Sequence, residues 1–369
     1  MATVEKLKYK RIVVKIGSNV LTCADGTLDD KRMSSLVDQI AKLFRSGIEI
    51  IIVSSGAVAS GRGELGARTS FQKLDPVSAR QLFSAVGQVK LINTYHKLLR
   101  DREIDCGQVL TTKESLSSRN HYLNQKNCME VMINNKVIPI VNENDTISVT
   151  ELMFTDNDEL SGMVAAMMNA DGLIILSNID GVYNGNPSAE NVEVIREIKS
   201  KTADISSYIC ADKSHFGRGG MITKTRIAQK VADEGIEVIV ANGKRENILV
   251  DLTLNHSSDV VCTRFTPSRR PVSGVKKWIA HSNGFAKGVI RINQGAYDAL
   301  MQAKATSLLP VGVETVEGNF EKDDIVQIVA PSGKSIGVGR VTLSSEKARQ
   351  TTGKKGAKAL IHYDYMYLD

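Results

Sequence analysis

Lys15, Asp158 and Lys224 are two cations and a carboxylate held in three separate segments, K-I-G-S at 15–18, F-T-D-N-D at 154–158 and G-R-G-G-M-I-T-K at 217–224. Each stands beside a glycine-rich or polar turn that follows a β-like run. Such groups suit a phosphoryl group in transit, whose oxygens gather charge that preorganised cations offset. The loop Gly219-Gly220-Met221-Ile222-Thr223-Lys224 reads as a phosphate cradle ending in a hydroxyl and a lysine. It is not a Walker A sequence, which needs G-x-x-x-x-G-K-[ST], and Gly217-Arg218-Gly219 starts a dinucleotide fingerprint without its third glycine. No short motif joins the three segments, so the fold must bring them together.

The elements that could do so alternate. Arg11–Ile16 is a β-branched strand ending at Gly17, and Met33, Leu36, Val37, Ile40, Leu43 and Phe44 share one helical face that Gly47 stops. Ile48–Val53 is the next strand, closed by Ser54-Ser55-Gly56. Leu82, Val86, Val89 and Ile92 mark another helix. Strands follow at Gln108–Leu110 and Val137–Val141, then helix Glu159–Asn169, strand Leu173–Leu176, helix Gly220–Glu234 and strand Ile236–Val240. Apolar strands alternating with amphipathic helices predict an α/β fold, a mainly parallel sheet covered on both faces. Ligands bind such sheets beyond the carboxyl ends of the strands, although Lys15 lies inside the end of its own strand.

At 369 residues the chain is long enough for two domains, and 42% hydrophobic with 24% charged residues is ordinary for a soluble globular protein. No apolar run approaches the ~20 residues that cross a bilayer. Met1–Lys10 has charges and no apolar core, so it reads as neither signal peptide nor anchor. Five scattered cysteines, Cys23, Cys106, Cys128, Cys210 and Cys262, form no C-x-x-C pair, which points to a reducing cytoplasm and to small core hydrophobes. Charge is uneven. Residues 264–369 hold 16 Lys and Arg against 9 Asp and Glu, a surplus of +7, whereas the rest balances at −1. Arg264–Gly274, with two of the seven prolines, reads as a linker between a catalytic domain at 1–263 and a module at 275–369. That module has short strands at Gly288–Ile292, Ile325–Val329 and Ile336–Val341 and a helix around Ala296–Ala303, which predicts a small β-rich barrel.

Several polar turns add to the site. Gly17-Ser18 and Ser54-Ser55-Gly56-Ala57 can present backbone N–H groups to an anion at a helix start, or be only tight turns. Val141-Asn142-Glu143-Asn144-Asp145-Thr146 ends a strand in a dense amide and carboxylate cluster, and Asp156 with Glu159 fits a variant capping box. Helix caps and Asx turns would explain either cluster alone. Together they could hold an ammonium group, a metal ion or a catalytic lysine.

In order, spacing and wording, K-I-G-S-N-V-L, V-S-S-G-A-V-A-S-G, A-V-G-Q, V-N-E-N-D, D-N-D-E-L-S and G-G-M-I-T-K resemble the amino-acid kinase superfamily. Trp278 to the C-terminus, with S-L-L-P-V-G-V at 307–313 and G-N-F at 318–320, resembles a PUA domain. The resemblance covers nearly the whole chain. It implies a three-layer αβα sandwich with a mainly parallel sheet, plus the small PUA barrel. The activity it implies is transfer of the γ-phosphoryl group of ATP, with Mg2+, to the γ-carboxylate of L-glutamate, the opening step of proline biosynthesis. Relatives acting on N-acetylglutamate, aspartate or uridylate share the fold but not V-N-E-N-D with a PUA module.

By the same resemblance Lys15 and Lys224 are the two catalytic lysines and Asp158 the aspartate that orients them. Ser55, Asp145 and Asn157 bind glutamate, with Asp145 on its ammonium. Ser177, Asn178, Arg218, Gly219, Gly220, Met221, Ile222, Thr223, Lys15 and Lys224 bind the nucleotide, and no protein residue is assigned as a metal ligand. Two departures from the family pattern, Ser177-Asn178 for Thr-Asp and Arg218 for a small hydroxyl residue, are expected to alter ATP affinity and not the reaction. The resemblance further implies feedback inhibition by proline, a homodimer or homotetramer, and a cytoplasmic location with no membrane. Two other classes remain: RNA binding through the basic C-terminal domain, against a solvated face serving regulation or assembly, and a non-catalytic amino-acid sensor, against which both lysines speak.

Overall fold

The computed structural model describes residues 7–66, 74–148, 156–185, 192–199, 221–255, 259–268, 276, 278–279, 286–302 and 306–368. The chain divides into two compact units, Met1–Pro271 and Val272–Asp369.

The first unit is built on an eight-stranded sheet. Its strands are β1 (Arg11–Ile16), β2 (Glu49–Ser54), β3 (Asp105–Thr111), β4 (Val137–Glu143), β5 (Gly172–Ser177), β6 (Glu197–Lys199), β7 (Glu237–Asn242) and β8 (Cys262–Thr266). They lie in the order β3-β4-β2-β1-β5-β7-β8-β6. Every pairing is parallel except β7 with β8. The carboxyl ends of β1, β2, β4, β5 and β7 therefore share one edge of the sheet, and every predicted site residue that is described follows or ends one of those strands or opens the next helix.

Side chains of a strand alternate between faces, and this alternation places Lys15. Ile12, Val14 and Ile16 join a core with Met33, Leu36, Val37 and Ile40 of α2 (Asp30–Arg45) and Leu91, Tyr95 and Leu99 of α4 (Pro76–Arg100). Val13 and Lys15 point to the other face, where α7 (Asn157–Met167) packs on β1. Helix α7 is buried on all sides, and its small residues Ser161, Gly162, Ala165 and Ala166 let it lie close to the sheet. The helix limits follow local chemistry. Asp29 caps α2 by accepting the Arg32 N–H at 2.9 Å, and Gly47 leaves it at φ 91°. Asp75 caps α4 on the amides of Val77 and Ser78, with Pro76 at the first helical position.

Helix α3 (Ala57–Leu65) crosses α4 backbone to backbone. A Cβ on Gly87 would overlap the Ala57 carbonyl oxygen, and one on Gly61 would overlap that of Phe83. The string Gly61-Arg62-Gly63-Glu64-Leu65-Gly66 matches G-x-G-x-x-G, but it runs through the second half of α3 and not through a strand-to-helix turn. Its first glycine serves helix packing, not a dinucleotide.

In the second unit five strands, β9 (Gly288–Ile292), β10 (Val313–Gly318), β11 (Ile325–Val329), β12 (Ser335–Val341) and β13 (Ile361–Leu368), form a mixed sheet in the order β10-β9-β11-β12-β13. Register shifts in three of its pairings bend it around Ile290, Ile292, Val326, Ile328, Phe320 and Ile361.

Three expectations need correction. The linker does not begin at Arg264, because Arg264–Thr266 complete β8, which pairs antiparallel with β7. The helix around Leu82–Ile92 extends to 25 residues, because buried Tyr95 and Leu99 carry its apolar face past Ile92 and Asp75 caps it well before Leu82. Among the described cysteines Cys262 alone is buried, while Cys23 and Cys128 are exposed. Glycine in a helix interior is normally less stable than alanine by about 1 kcal/mol. Here the sign is reversed by the crossing: Gly87→Ala is expected to destabilise the protein by about 1–3 kcal/mol. A urea midpoint that stays put or rises would show that α3 and α4 do not depend on that contact.

Candidate active site

The opening trio converges. Lys15 Nζ lies 2.6 Å from Asp158 Oδ1, and Lys224 Nζ donates to Asp158 Oδ2. Lys15 comes from the end of β1, Asp158 is the second residue of α7, and Lys224 is in the first turn of α8 (Met221–Asp233). Asp158 is fully buried and Lys15 is 3% exposed. Burial alone would raise a carboxyl pKa, but the ammonium groups of Lys15 and Lys224 outweigh it and hold Asp158 down to about 2. Burial likewise favours neutral Lys224, yet the charges of Asp158 and Asp156 raise its pKa. Lys224 is a cation at a helix start, where the dipole opposes it, so the carboxylates also offset that cost.

Asp156 is the member of the cluster that the sequence disguises. It sits at the N-cap of α7, but its side chain makes no capping bond. Instead it lies 3.3 Å from Lys224 Nζ and 3.9 Å from Lys15 Nζ. Burial raises its pKa, with Lys15 pulling it down and the Asp158 charge pushing it up. Glu159, the partner expected in a capping box, turns away to Lys113 at 3.0 Å. The cluster thus has two ammonium groups against two carboxyl groups.

A second group lies next to it. Asn157 Nδ2 approaches three acceptors: the Ser54 carbonyl at 3.0 Å, Ser55 Oγ at 2.9 Å and Asn142 Oδ1 at 3.0 Å. Asn142 Nδ2 donates on to Gln88 Oε1 at 2.8 Å. Ser55 and Asn157 are therefore brought together, and Asn142 of the polar cluster after β4 and Gln88 of α4 join them. Asp145 is held from α4, where Arg80 Nε donates to its Oδ1 at 2.8 Å. Burial raises the pKa of Asp145 and Arg80 opposes the rise. Arg80, Ser84 and Gln88 recur every four residues, so a polar stripe on α4 was present in the sequence.

At the ends of β5 and β7, Ser177 Oγ contacts Asn178 Oδ1 at 3.4 Å. Asp180 accepts from Asn242 at 3.0 Å and from Arg245 at 2.8 Å, and Arg245 is the leading cause of its lowered pKa. Met221, Ile222 and Thr223 form the first turn of α8, whereas Arg218, Gly219 and Gly220 lie outside the described residues. The Gly17 N–H is spent on the Leu176 carbonyl at 3.1 Å and that of Ser55 on Ile16 at 3.0 Å. The donors left for an anion beside β2 are the first amides of α3. Among the described residues no three His, Cys, Asp or Glu converge as a metal cluster, and no helix is long and apolar enough to cross a membrane.

A lysine pair bridged by one aspartate at the end of a parallel sheet is a phosphoryl-transfer arrangement, and comparison with known proteins agrees. Residues 10–242 match the model of the amino acid kinase family and residues 288–363 that of the PUA domain. A glutamate 5-kinase of Bacteroides thetaiotaomicron is 64% identical over 99% of this chain and 100% of its own length. The chain belongs to the glutamate 5-kinase family of amino acid kinases. Another member, from Chlorobaculum tepidum, is 47% identical over 98% of each chain. The fold alone is shared with a carbamate kinase from Giardia lamblia bound to AMP-PNP, 19% identical with a TM-score of 0.52, covering 70% of this chain and 99% of that one.

The electrostatics of this family member's site carry a pH signature. A carboxyl whose folded pKa of about 2 lies below its unfolded value near ~3.9 stabilises the fold above that unfolded value. Its contribution is lost as pH falls through the folded value. Asp158→Asn is therefore expected to be destabilising at pH 6, and the gap to wild type to shrink between about pH 4 and pH 2. Urea unfolding at several pH values measures it, and a gap independent of pH would contradict the bridged carboxylate.

Proposed function

We propose that this protein transfers the γ-phosphoryl group of ATP to the γ-carboxylate of L-glutamate, giving L-glutamyl 5-phosphate, the first step of proline biosynthesis. The bridge Lys15–Asp158–Lys224 at the carboxyl edge of the sheet carries this reading. The relatives named glutamate 5-kinase, similar along their whole length, support the acceptor.

A carboxylate acceptor with a reference pKa near ~4.3 is ionised at neutral pH, so the reaction needs no general base. The obstacle is that two anions must meet. Each lysine has three N–H donors; Lys15 is paired with Asp158 and Lys224 donates to Asp158 and Asp156, so each keeps at least one for phosphoryl oxygens as charge spreads over them. Asp158 is then a positioning residue, saturated by its lysines. Ser55, Asn157 and Asp145 bind glutamate in this reading, and Ser177, Asn178 and the turn at Arg218–Lys224 bind ATP. Magnesium would supply charge neutralisation on the ATP phosphates, and Asp156, whose contacts are the longer ones, is the residue fitted to face it.

Residues 1–263 would form the catalytic domain, extended by the rest of β8, and 275–369 the PUA domain. Feedback by proline at the amino-acid pocket, a homodimer or homotetramer and a cytoplasmic location belong to the same proposal. With hydroxylamine trapping the acyl phosphate, hydroxamate should form from ATP and glutamate. Lys15→Ala and Lys224→Ala should each reduce it on the order of 10²–10³-fold. Product from N-acetylglutamate or aspartate but none from glutamate would refute the substrate and leave the fold intact.

A further inference from the structure

Arg80 has no part in phosphoryl transfer as described, yet it occupies a constructed position. Its Nε and Nη2 both address Asp145 Oδ1, at 2.8 and 2.5 Å, and Nη2 lies 3.5 Å from Glu143 Oε2. Asp145 and Glu143 are 7% and 5% exposed. Both donors converge on one oxygen of the Asp145 carboxylate, which leaves its second oxygen for an incoming ammonium. Arginine has five N–H donors. Among the described residues no acceptor meets Nη1, and Asp145 Oδ2 carries no hydrogen bond. The arginine side chain is 27% exposed, so a ligand can reach it.

An unused donor pair beside an unused acceptor is the complement of an α-amino acid, whose carboxylate and ammonium branch from a single carbon. We propose that Arg80 reads the α-carboxylate of the substrate through Nη1 while Asp145 Oδ2 takes its α-ammonium, a zwitterion laid against an Arg–Asp pair. Arg80 thereby sets specificity for a free amino acid. The γ-carboxylate is left to extend toward the lysines. A fixed guanidinium fork suits a planar carboxylate better than a lysine would. This assignment rests on glutamate being the acceptor.

The test compares two acceptors of the full-length enzyme in the hydroxamate assay: L-glutamate and L-isoglutamine, which carries a neutral amide in place of the α-carboxylate. Wild type should prefer glutamate. Arg80→Gln should cut kcat/KM for glutamate about 10- to 100-fold, through KM, the range for a lost hydrogen bond to a charged group. For isoglutamine it should change little, so the preference collapses. Equal losses on both acceptors would reduce Arg80 to a strut for Asp145 and overturn the proposal. Should the thermal melt show that Arg80→Gln is unfolded, Arg80→Lys decides in the same way: a loss confined to glutamate supports the assignment and a shared loss overturns it. No hydroxamate from glutamate with the unaltered protein would overturn the underlying substrate reading instead.

Discussion

One buried carboxylate lets two ammonium groups coexist at the edge of this sheet. Without Asp158, Lys15 and Lys224 would face each other as like charges in a site largely shut off from water. With it, both are paired and fixed in place before any substrate arrives. The rest of the catalytic unit serves that contact. A central parallel strand brings Lys15 from below, a helix buried on all sides brings Asp158, and the start of α8 brings Lys224. Asp156 adds a second carboxyl group beside the two ammonium groups.

The group around Asn157, the acceptor side in the proposed reading, is built on different terms. Around Asn157 the donors and acceptors are amides and a hydroxyl, linked from Ser55 through Asn142 to Gln88. Among the described residues charge returns at Asp145, Glu143 and Arg80. A dicarboxylic amino acid needs this division, since one end must be gripped tightly while the other stays an available nucleophile. Neutral partners around the reacting carboxylate would leave its charge for the phosphoryl group.

The sheet and the segments that meet in the Lys15–Asp158–Lys224 bridge were legible in the sequence because both are tied to short apolar strands with turns at their ends. Strand bounds for β1, β5 and β7 fell within a residue or two, since burial on both faces writes a continuous apolar run. What failed was information held in one residue with two meanings. An aspartate before a helix looks like a cap whether it faces its own backbone, as Asp29 does, or a lysine far away in the chain, as Asp156 does. Arg80 was obscured for a related reason. A long helix with polar residues on several faces gives no hint of which face meets a distant turn, and only the folded contact with Asp145 selects it. Arg264–Thr266 failed because a proline-rich continuation coloured the end of a real strand.

Asp156, Asn157 and Asp158 are consecutive, yet one reaches toward Lys224, the next toward Ser55 and Asn142, and the third between the two lysines. Asp156 is still extended ahead of the helix, while Asn157 and Asp158 in its first turn point about 100° apart, and this change of backbone course distributes the three duties. The separation between the acceptor pocket and the phosphoryl site is thus set by single peptide units. Substitution within the triplet alters one duty at a time. An inserted or deleted residue there would move all three out of place at once, so this turn should tolerate replacement far better than a change of length.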